Sequence, residues 1–457
     1  MTDVSRLSRT DFPSTMTFGV ATASYQIEGA ATEGGRVPSI WDTFSAKPGA
    51  VVGGDTGAVA CDHYHRYRED VGIMRDLGVD AYRFSLAWPR ILPEAGGAPN
   101  PAGIAFYDRL LDELLEAGIT PWATLYHWDL PQSLEDAGGW PARDTAYRFA
   151  EYVQVCEDAF GDRIGHWITL NEPWVSAFLG YAAGVHAPGR TDHAAAIRAS
   201  HHLLLGHGLA MSVLRERVPQ GQHGITLNLT PIEAHGDREI FADAVRRVDG
   251  MSNRIFLDPL FRGEYPADVV ADTGHVLDLS GIVADGDLEL ISAPMDFLGI
   301  NYYFPTVVGA GVYPGSAAVA TAAHDRPKTA MGWEVDPSAM VRLLIRVRAD
   351  YGDIPLHVTE NGSAWDDVVS EDGRVHDRDR LAYLQDHLAA SRELIDAGVN
   401  LQGYFAWSLL DNFEWAEGYA KRFGIVHVDY ATQRRTLKDS GRWYREFLGG
   451  ASAGGPE

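Results

Sequence analysis

IPLHVTENG, residues 354–362, begins as an apolar run of the kind that forms a buried strand, and it stops on a carboxylate, Glu360. An Asn-Gly turn signal follows at once. Seven other short apolar runs share this design, each ending in polar or aromatic residues: TFGVATASYQ (17–26), AYRFSLAW (81–88), PWATLYHWDLP (121–131), HWITLNEP (166–173), HGITLNLTP (223–231), DFLGINYY (296–303) and LQGYFAWSLLDN (401–412). Near-continuous apolar runs suit strands covered on both faces. Between them lie segments with apolar residues at helical spacing, notably 103–118, 194–217 and 379–398, the first and last ending in glycine. Strands alternating with helices imply βαβ units and a parallel sheet. Eight such units in one undivided chain of 457 residues predict an α/β fold, a single-domain (β/α)8 TIM barrel with long βα loops. The barrel is expected over residues 11–448, with flexible ends at 1–10 and 449–457. A doubly wound open sheet is the alternative, but it wants a Gly-rich phosphate turn after its first strand, and FGVATAS (18–24) is not one.

Barrel active sites lie at the C-terminal ends of the strands. Here those ends carry Gln26, Arg83, His127, Asn171, Glu172, Asn228, Asn301, Tyr303, Glu360 and Trp407. Dense hydrogen-bonding groups beside aromatic faces describe a sugar site: the polar groups bind hydroxyls and the rings cover the C–H patches. Glu172 ends the fourth run and Glu360 the seventh. Two carboxyls facing each other across a sugar are what glycoside hydrolysis needs, one to protonate the leaving oxygen and one to attack the anomeric carbon or activate water.

TLNEP (169–173) and TENG (359–362) together resemble glycoside hydrolase family 1, the β-glucosidase family. The resemblance extends over essentially the whole chain through FGVATASYQIEGA (18–30), YRFSLAWPRI (82–91), YHWDLPQ (126–132), GINYY (299–303), WSLLDNFEWAEGY (407–419) and KRFGIVHVDY (421–430). It implies a retaining β-glucosidase with no cofactor and no metal, acting on cellobiose, oligosaccharides or aryl and alkyl glucosides. Glu172 matches the acid/base and Glu360 the nucleophile, with carboxyls ~5–5.5 Å apart. Arg83 and Tyr303 match the partners that hold the nucleophile ionised. The Glu360 charge is expected to raise the pKa of Glu172 so that it remains an acid. Gln26, His127, Trp128, Asn171, Trp407, Glu414, Trp415 and Phe423 match sugar-binding positions. Trp174, Asn228 and Trp333 match the more variable aglycone side. Residues 305–337 are read as rim loops on that side. One departure is visible: the family commonly has Ser or Thr after NYY, and Phe304 stands there. An altered loop contact is expected, with the chemistry kept.

The family also contains 6-phospho-β-glycosidases. A carboxylate at Glu414 would repel a 6-phosphate, which argues for free sugars even with Lys421 nearby. Transglycosylation, a broader β-glycosidase and a non-catalytic sugar-binding relative are the other readings; the last commonly lacks one of the two glutamates, and both are present.

The formal net charge of −25 disfavours nucleic acid and anionic membranes as partners. No signal peptide and no apolar stretch of spanning length is visible, so a cytoplasmic protein is expected, with a homo-oligomer left open. Cys61 and Cys156 read as buried free thiols in helical surroundings. His63 with His65, and His201 with His202, have spacings that do not put two imidazoles on one helix face, so they read as structural. Asp411 reads as structural, and Trp41 and Trp140 as packing.

Overall fold

A computed structural model describes residues 7–309 and 320–449. All eight apolar runs form strands: β1 Thr17–Ala21, β2 Ala81–Ser85, β3 Thr120–Tyr126, β4 His166–Asn171, β5 Gln222–Asn228, β6 Phe297–Asn301, β7 Leu356–Asn361 and β8 Leu401–Trp407. Each pairs in parallel with its sequence neighbours, and β1 closes on β8 through Thr17–Gly403 to Ala21–Trp407. The chain is thus the expected single-domain (β/α)8 barrel. The three periodic segments are the helices Pro101–Glu116, His193–Arg217 and Arg378–Asp396. Gly118 and Gly398 end the first and last at φ 74° and 80°, a left-handed conformation that costs glycine little.

The barrel interior is filled, not hollow. Trp122 of β3 stacks on His166 at 4.2 Å between ring centres and also meets Phe297, His357 and Phe405, so rings from β3, β4, β6, β7 and β8 plug the end remote from the C-terminal ends of the strands. Burial pushes His166 down to about 4 and His357 to about 3, so both rings pack as neutral groups.

Two loops carry structure of their own. Ile232–Ala234, Thr306–Gly309 and Ala320–Ala322 form a three-stranded sheet at the rim, so the expected rim loops of 305–337 are partly strand, and 310–319 lie outside the described residues. Val426–Asp429 and Arg434–Leu437 form a hairpin after β8. Of the expected flexible ends, 1–6 and 450–457 also lie outside the described residues; within 7–10, Arg9 pairs with Asp80 at 2.7 Å. Both thiols are buried, but Cys61 sits in the turn before helix His63–Leu77 and not in a helix; its Sγ donates to the Asp411 carbonyl at 3.0 Å.

Asp411 is structural, as read. Lys438 Nζ lies 2.6 Å from its Oδ1 and 2.5 Å from Asp367 Oδ2, with all three side chains at most 2 % exposed. Arg422 holds the other oxygen of Asp411, and Arg380 contacts both oxygens of Asp367. Lys438→Met would leave a buried carboxylate pair short of one cation. The expected cost is about 3 kcal/mol, the lower end for a broken buried pair because the two arginines remain. Urea unfolding reads it directly; an unshifted midpoint would show that the arginines suffice.

Candidate active site

The ladder breaks where the candidate side chains emerge. β4 slips against β5 between Ile168 and Asn171, and β7 slips against β6 between Val358 and Glu360. Such bulges bend a strand end and re-aim its side chains. Glu172 follows β4 at φ 47°, and Trp128 and Trp415 also take left-handed backbone at φ 78° and 49°. Non-glycine residues hold that conformation at a cost of about 1–3 kcal/mol each, and only where their surroundings impose it. Gly362, read in sequence as part of a turn, is needed for another reason: a Cβ there would sit 1.6 Å from the Trp407 carbonyl oxygen. The close approach of β7 to the end of β8 requires glycine. Asn361 is tied in on both sides, donating to the Tyr302 carbonyl at 2.7 Å and accepting from Tyr404 OH at 2.7 Å.

Glu360 has a donor on each oxygen. Arg83 Nη1 reaches Oε1 at 2.5 Å and Tyr303 OH reaches Oε2 at 2.6 Å. Arg83 also donates to the Thr359 carbonyl at 3.2 Å and to Asn171 Oδ1 at 2.6 Å. Glu172 has no cation in hydrogen-bond contact among the described residues; its Oε1 accepts from Asn301 Nδ2 at 2.6 Å. Asn301 also donates to Asn171 Oδ1 at 3.1 Å and accepts from Thr359 Oγ1 at 2.8 Å. Asn171 Nδ2 donates to His127 Nε2 at 3.0 Å, which puts the imidazole proton on Nδ1. Burial and then Arg83 push His127 well down, in keeping with a neutral acceptor.

Burial raises Glu172 to about 8; the Glu360 charge adds to this, while Asn301 and Arg83 oppose it. Desolvation therefore leads, ahead of the charge repulsion expected from sequence. Burial also pushes Glu360 upward, against Arg83, Tyr303 and Asn301, so the guanidinium offsets desolvation without reversing it. Two short donors aimed at its two oxygens favour the ionised form. Glu414 is raised to about 8 by burial, then by Glu360 and Glu417, with Gln26 opposing. Burial and the Glu360 charge push Tyr303 well above the usual phenol range, so it stays a donor.

A cavity of about 530 Å³ opens over these groups. Twelve of the fifteen residues assigned a site role from sequence line it: Glu172, Glu360, Tyr303, His127, Trp128, Trp407, Glu414, Trp415, Phe423, Trp174, Asn228 and Trp333. The other three, Arg83, Asn171 and Gln26, are fully buried behind the lining. Gln26 Nε2 donates to Asn412 Oδ1 at 3.0 Å, to the Phe413 carbonyl at 2.9 Å and to Glu414 Oε2 at 3.4 Å. Its Oε1, like His127 Nδ1, is buried with no partner among the described residues. His127 lies near-parallel to both Trp407 and Trp415, 5.9 Å from each.

Asn301 is the residue that sequence reasoning noticed at a strand end and did not assign. Its register partner is Glu360, and its amide touches Glu172. Trp41, read as packing, backs the site: it contacts Trp415 at 4.6 Å. His186 lines the cavity from the loop after β4 and carried no sequence signal. Phe304 turns out to stack on Trp333 at 4.8 Å. The histidine pairs have other partners: His63 bonds Asp70, His65 bonds Asp62, His201 bonds Asp287 and Tyr265, and His202 bonds the Trp140 carbonyl. Among the described residues no group of three or more His, Cys, Asp or Glu is placed to hold a metal ion, and no helix is long and apolar enough to cross a membrane.

Residues 8–451 match the model of glycosyl hydrolase family 1. The chain is 51% identical to beta-glucosidase A of Thermotoga maritima over 96% of its length and 97% of that protein's. It is 48% identical to a bifunctional beta-D-glucosidase/beta-D-fucosidase of Bifidobacterium breve, covering 97% of this chain and 99% of that one. Among solved structures, the Thermotoga maritima beta-glucosidase in complex with deoxynojirimycin superposes with a TM-score of 0.91 at 49% identity, covering 96% of this chain and 98% of that one. The Exiguobacterium antarcticum B7 beta-glucosidase does so at 0.93 and 47%, with the same coverage. With a barrel that presents two glutamates in one cavity and relatives alike from end to end, the chain belongs to glycosyl hydrolase family 1.

Proposed function

We propose that the protein is a retaining β-glucosidase that removes terminal nonreducing β-D-glucosyl residues, with Glu360 as nucleophile and Glu172 as acid/base. The observation that carries this is the asymmetry of the two carboxyls. Glu360 is gripped by a guanidinium and a phenol, whereas Glu172, in the same cavity, has only an amide and no cation in hydrogen-bond contact among the described residues. Two carboxyls in environments that separate their protonation is the pattern of an acid and a nucleophile. Glu360 attacks the anomeric carbon while Glu172 gives its proton to the departing oxygen. Forming the glycosyl ester removes the Glu360 charge, so the pKa of Glu172 falls and it accepts the proton of the attacking water. Asn171 would bind the sugar's 2-hydroxyl, and Gln26, His127 and Glu414 other hydroxyls, over the Trp407 ring. The Thermotoga maritima beta-glucosidase is solved with deoxynojirimycin, a sugar-like ligand, which supports a small glycoside as substrate here. The Bifidobacterium breve relative supports tolerance of fucosides.

A free sugar is favoured over a 6-phosphate by Glu414 beside Gln26, since a carboxyl at this position offers a phosphate no cation. Lys421 does not offset it, because its ammonium donates to the Ala330 carbonyl at 2.7 Å. A panel of nitrophenyl glycosides, including the glucoside 6-phosphate, tests sugar, anomer and phosphate together; the unphosphorylated β-glucoside should be hydrolysed, and a preference for the 6-phosphate would overturn the reading.

The pH profile follows from Glu172. Its protonated form is the active acid, so kcat/KM should fall as pH rises through about 8. Glu172→Gln should remove that limb for substrates with activated leaving groups. A limb that persists in this variant would assign the titration to another group.

A further inference from the structure

We propose that Phe304 is a positioning residue that holds Trp333 as one wall of a slot for flat, apolar aglycones, so that glucosides of aromatic alcohols are favoured over cellobiose. This rests on the β-glucosidase reading above. Trp333 is held by rings on three sides. Phe304 stacks on it at 4.8 Å and 29°, Tyr303 meets it at 5.4 Å, and Phe423 meets it at 5.9 Å. The Phe304 backbone is itself fixed, since Thr230 Oγ1 donates to its carbonyl at 2.9 Å. The loop bearing Trp333 closes through Thr329 N to the Trp333 carbonyl at 2.9 Å. Trp174 forms another part of the wall, packed on Phe178 at 5.8 Å, with Val175, Leu179 and Met331 also lining the cavity.

Of the polar groups near these rings, Thr230, Thr306 and one oxygen of Glu334 are already engaged, while Glu334 Oε1 is buried without a partner among the described residues. Thr230 and Thr306 lie 3.2 Å apart, oxygen to oxygen, and Glu334 Oε2 accepts from Arg326 at 3.0 Å. A sugar aglycone must exchange water for a hydrogen-bond partner at each hydroxyl, and a buried hydroxyl without one is penalised. An aromatic aglycone has no such need and gains from ring contact. The benefit depends on Trp333 keeping one orientation, because an indole that swings loses contact with the substrate and entropy on binding. Phe304 supplies that constraint through its stacking contact.

Benzyl β-D-glucoside and cellobiose both release alcohols, so their kcat/KM ratio reports the aglycone contact more than leaving-group acidity. The native enzyme should favour the benzyl glucoside. Phe304→Ser should lower the ratio roughly 10-fold, mostly through the KM of the benzyl glucoside. Phe304→Tyr keeps the ring and should restore the ratio. If the serine variant lacks a native thermal transition, Phe304→Leu, which keeps apolar bulk without the ring, is read in its place. An unchanged ratio, or a native preference for cellobiose, overturns the proposal while leaving the β-glucosidase reading intact. No turnover of either glucoside by the native enzyme overturns both.

Discussion

Glu360→Ala should lower turnover of every β-glucoside by at least about 10⁴-fold, since removing a catalytic nucleophile leaves only binding and the remaining site to act. The environment of Glu360 makes the expectation specific. Arg83 and Tyr303 spend their short hydrogen bonds on it, so the loss also leaves a guanidinium at 1 % exposure without its carboxylate. Stability should therefore fall as well, by about 3–5 kcal/mol if the buried charge finds no new partner. Glu360→Gln separates the two effects: it keeps the shape and one acceptor but cannot form the ester. Both variants should still bind a sugar analogue if folded. A 2-fluoro glucoside with a good leaving group should label Glu360 alone in the native enzyme. Labelling elsewhere would remove the assignment.

Glu172→Ala should behave differently, and the difference is diagnostic. Substrates with poor leaving groups, such as cellobiose, need the proton and should slow by about 10²–10⁴-fold in forming the glycosyl-enzyme. Activated nitrophenyl glucosides do not need it there, so their first step should be nearly spared and the intermediate should accumulate as a burst. Equal losses on both classes would contradict the acid role. The stability cost should be smaller than for Glu360, because Glu172 has an amide partner, Asn301, and no ion pair among the described residues.

The barrel was legible because its strands are buried on both faces. Short unbroken apolar runs separated by amphipathic helices have few other solutions, and all eight runs became neighbours in sequence order. The two glutamates were legible for a related reason: a carboxylate at the end of a buried strand is costly unless it has partners, and only a strand mouth offers them. Asn301 was less legible. Its importance lies in touching Glu172 while pairing in register with Glu360, and nothing local in GINYY says which of two facing strands it will serve. The rim sheet was missed because its strands of three and four residues carry no period that a sequence can show.

The sequence by itself determined the architecture and placed two candidate carboxyls at strand ends, since periodicity and strand-end chemistry are local properties. Tertiary structure alone decided how those carboxyls differ. Burial pushes both upward, but a guanidinium from β2 meets Glu360 of β7 across the barrel, whereas Glu172 is met by the Asn301 amide. It also decided why IPLHVTENG ends in glycine: the Trp407 carbonyl of β8 comes too close for a Cβ. Charge environment and close approach depend on residues far apart in the chain, so they exist only once the barrel has closed.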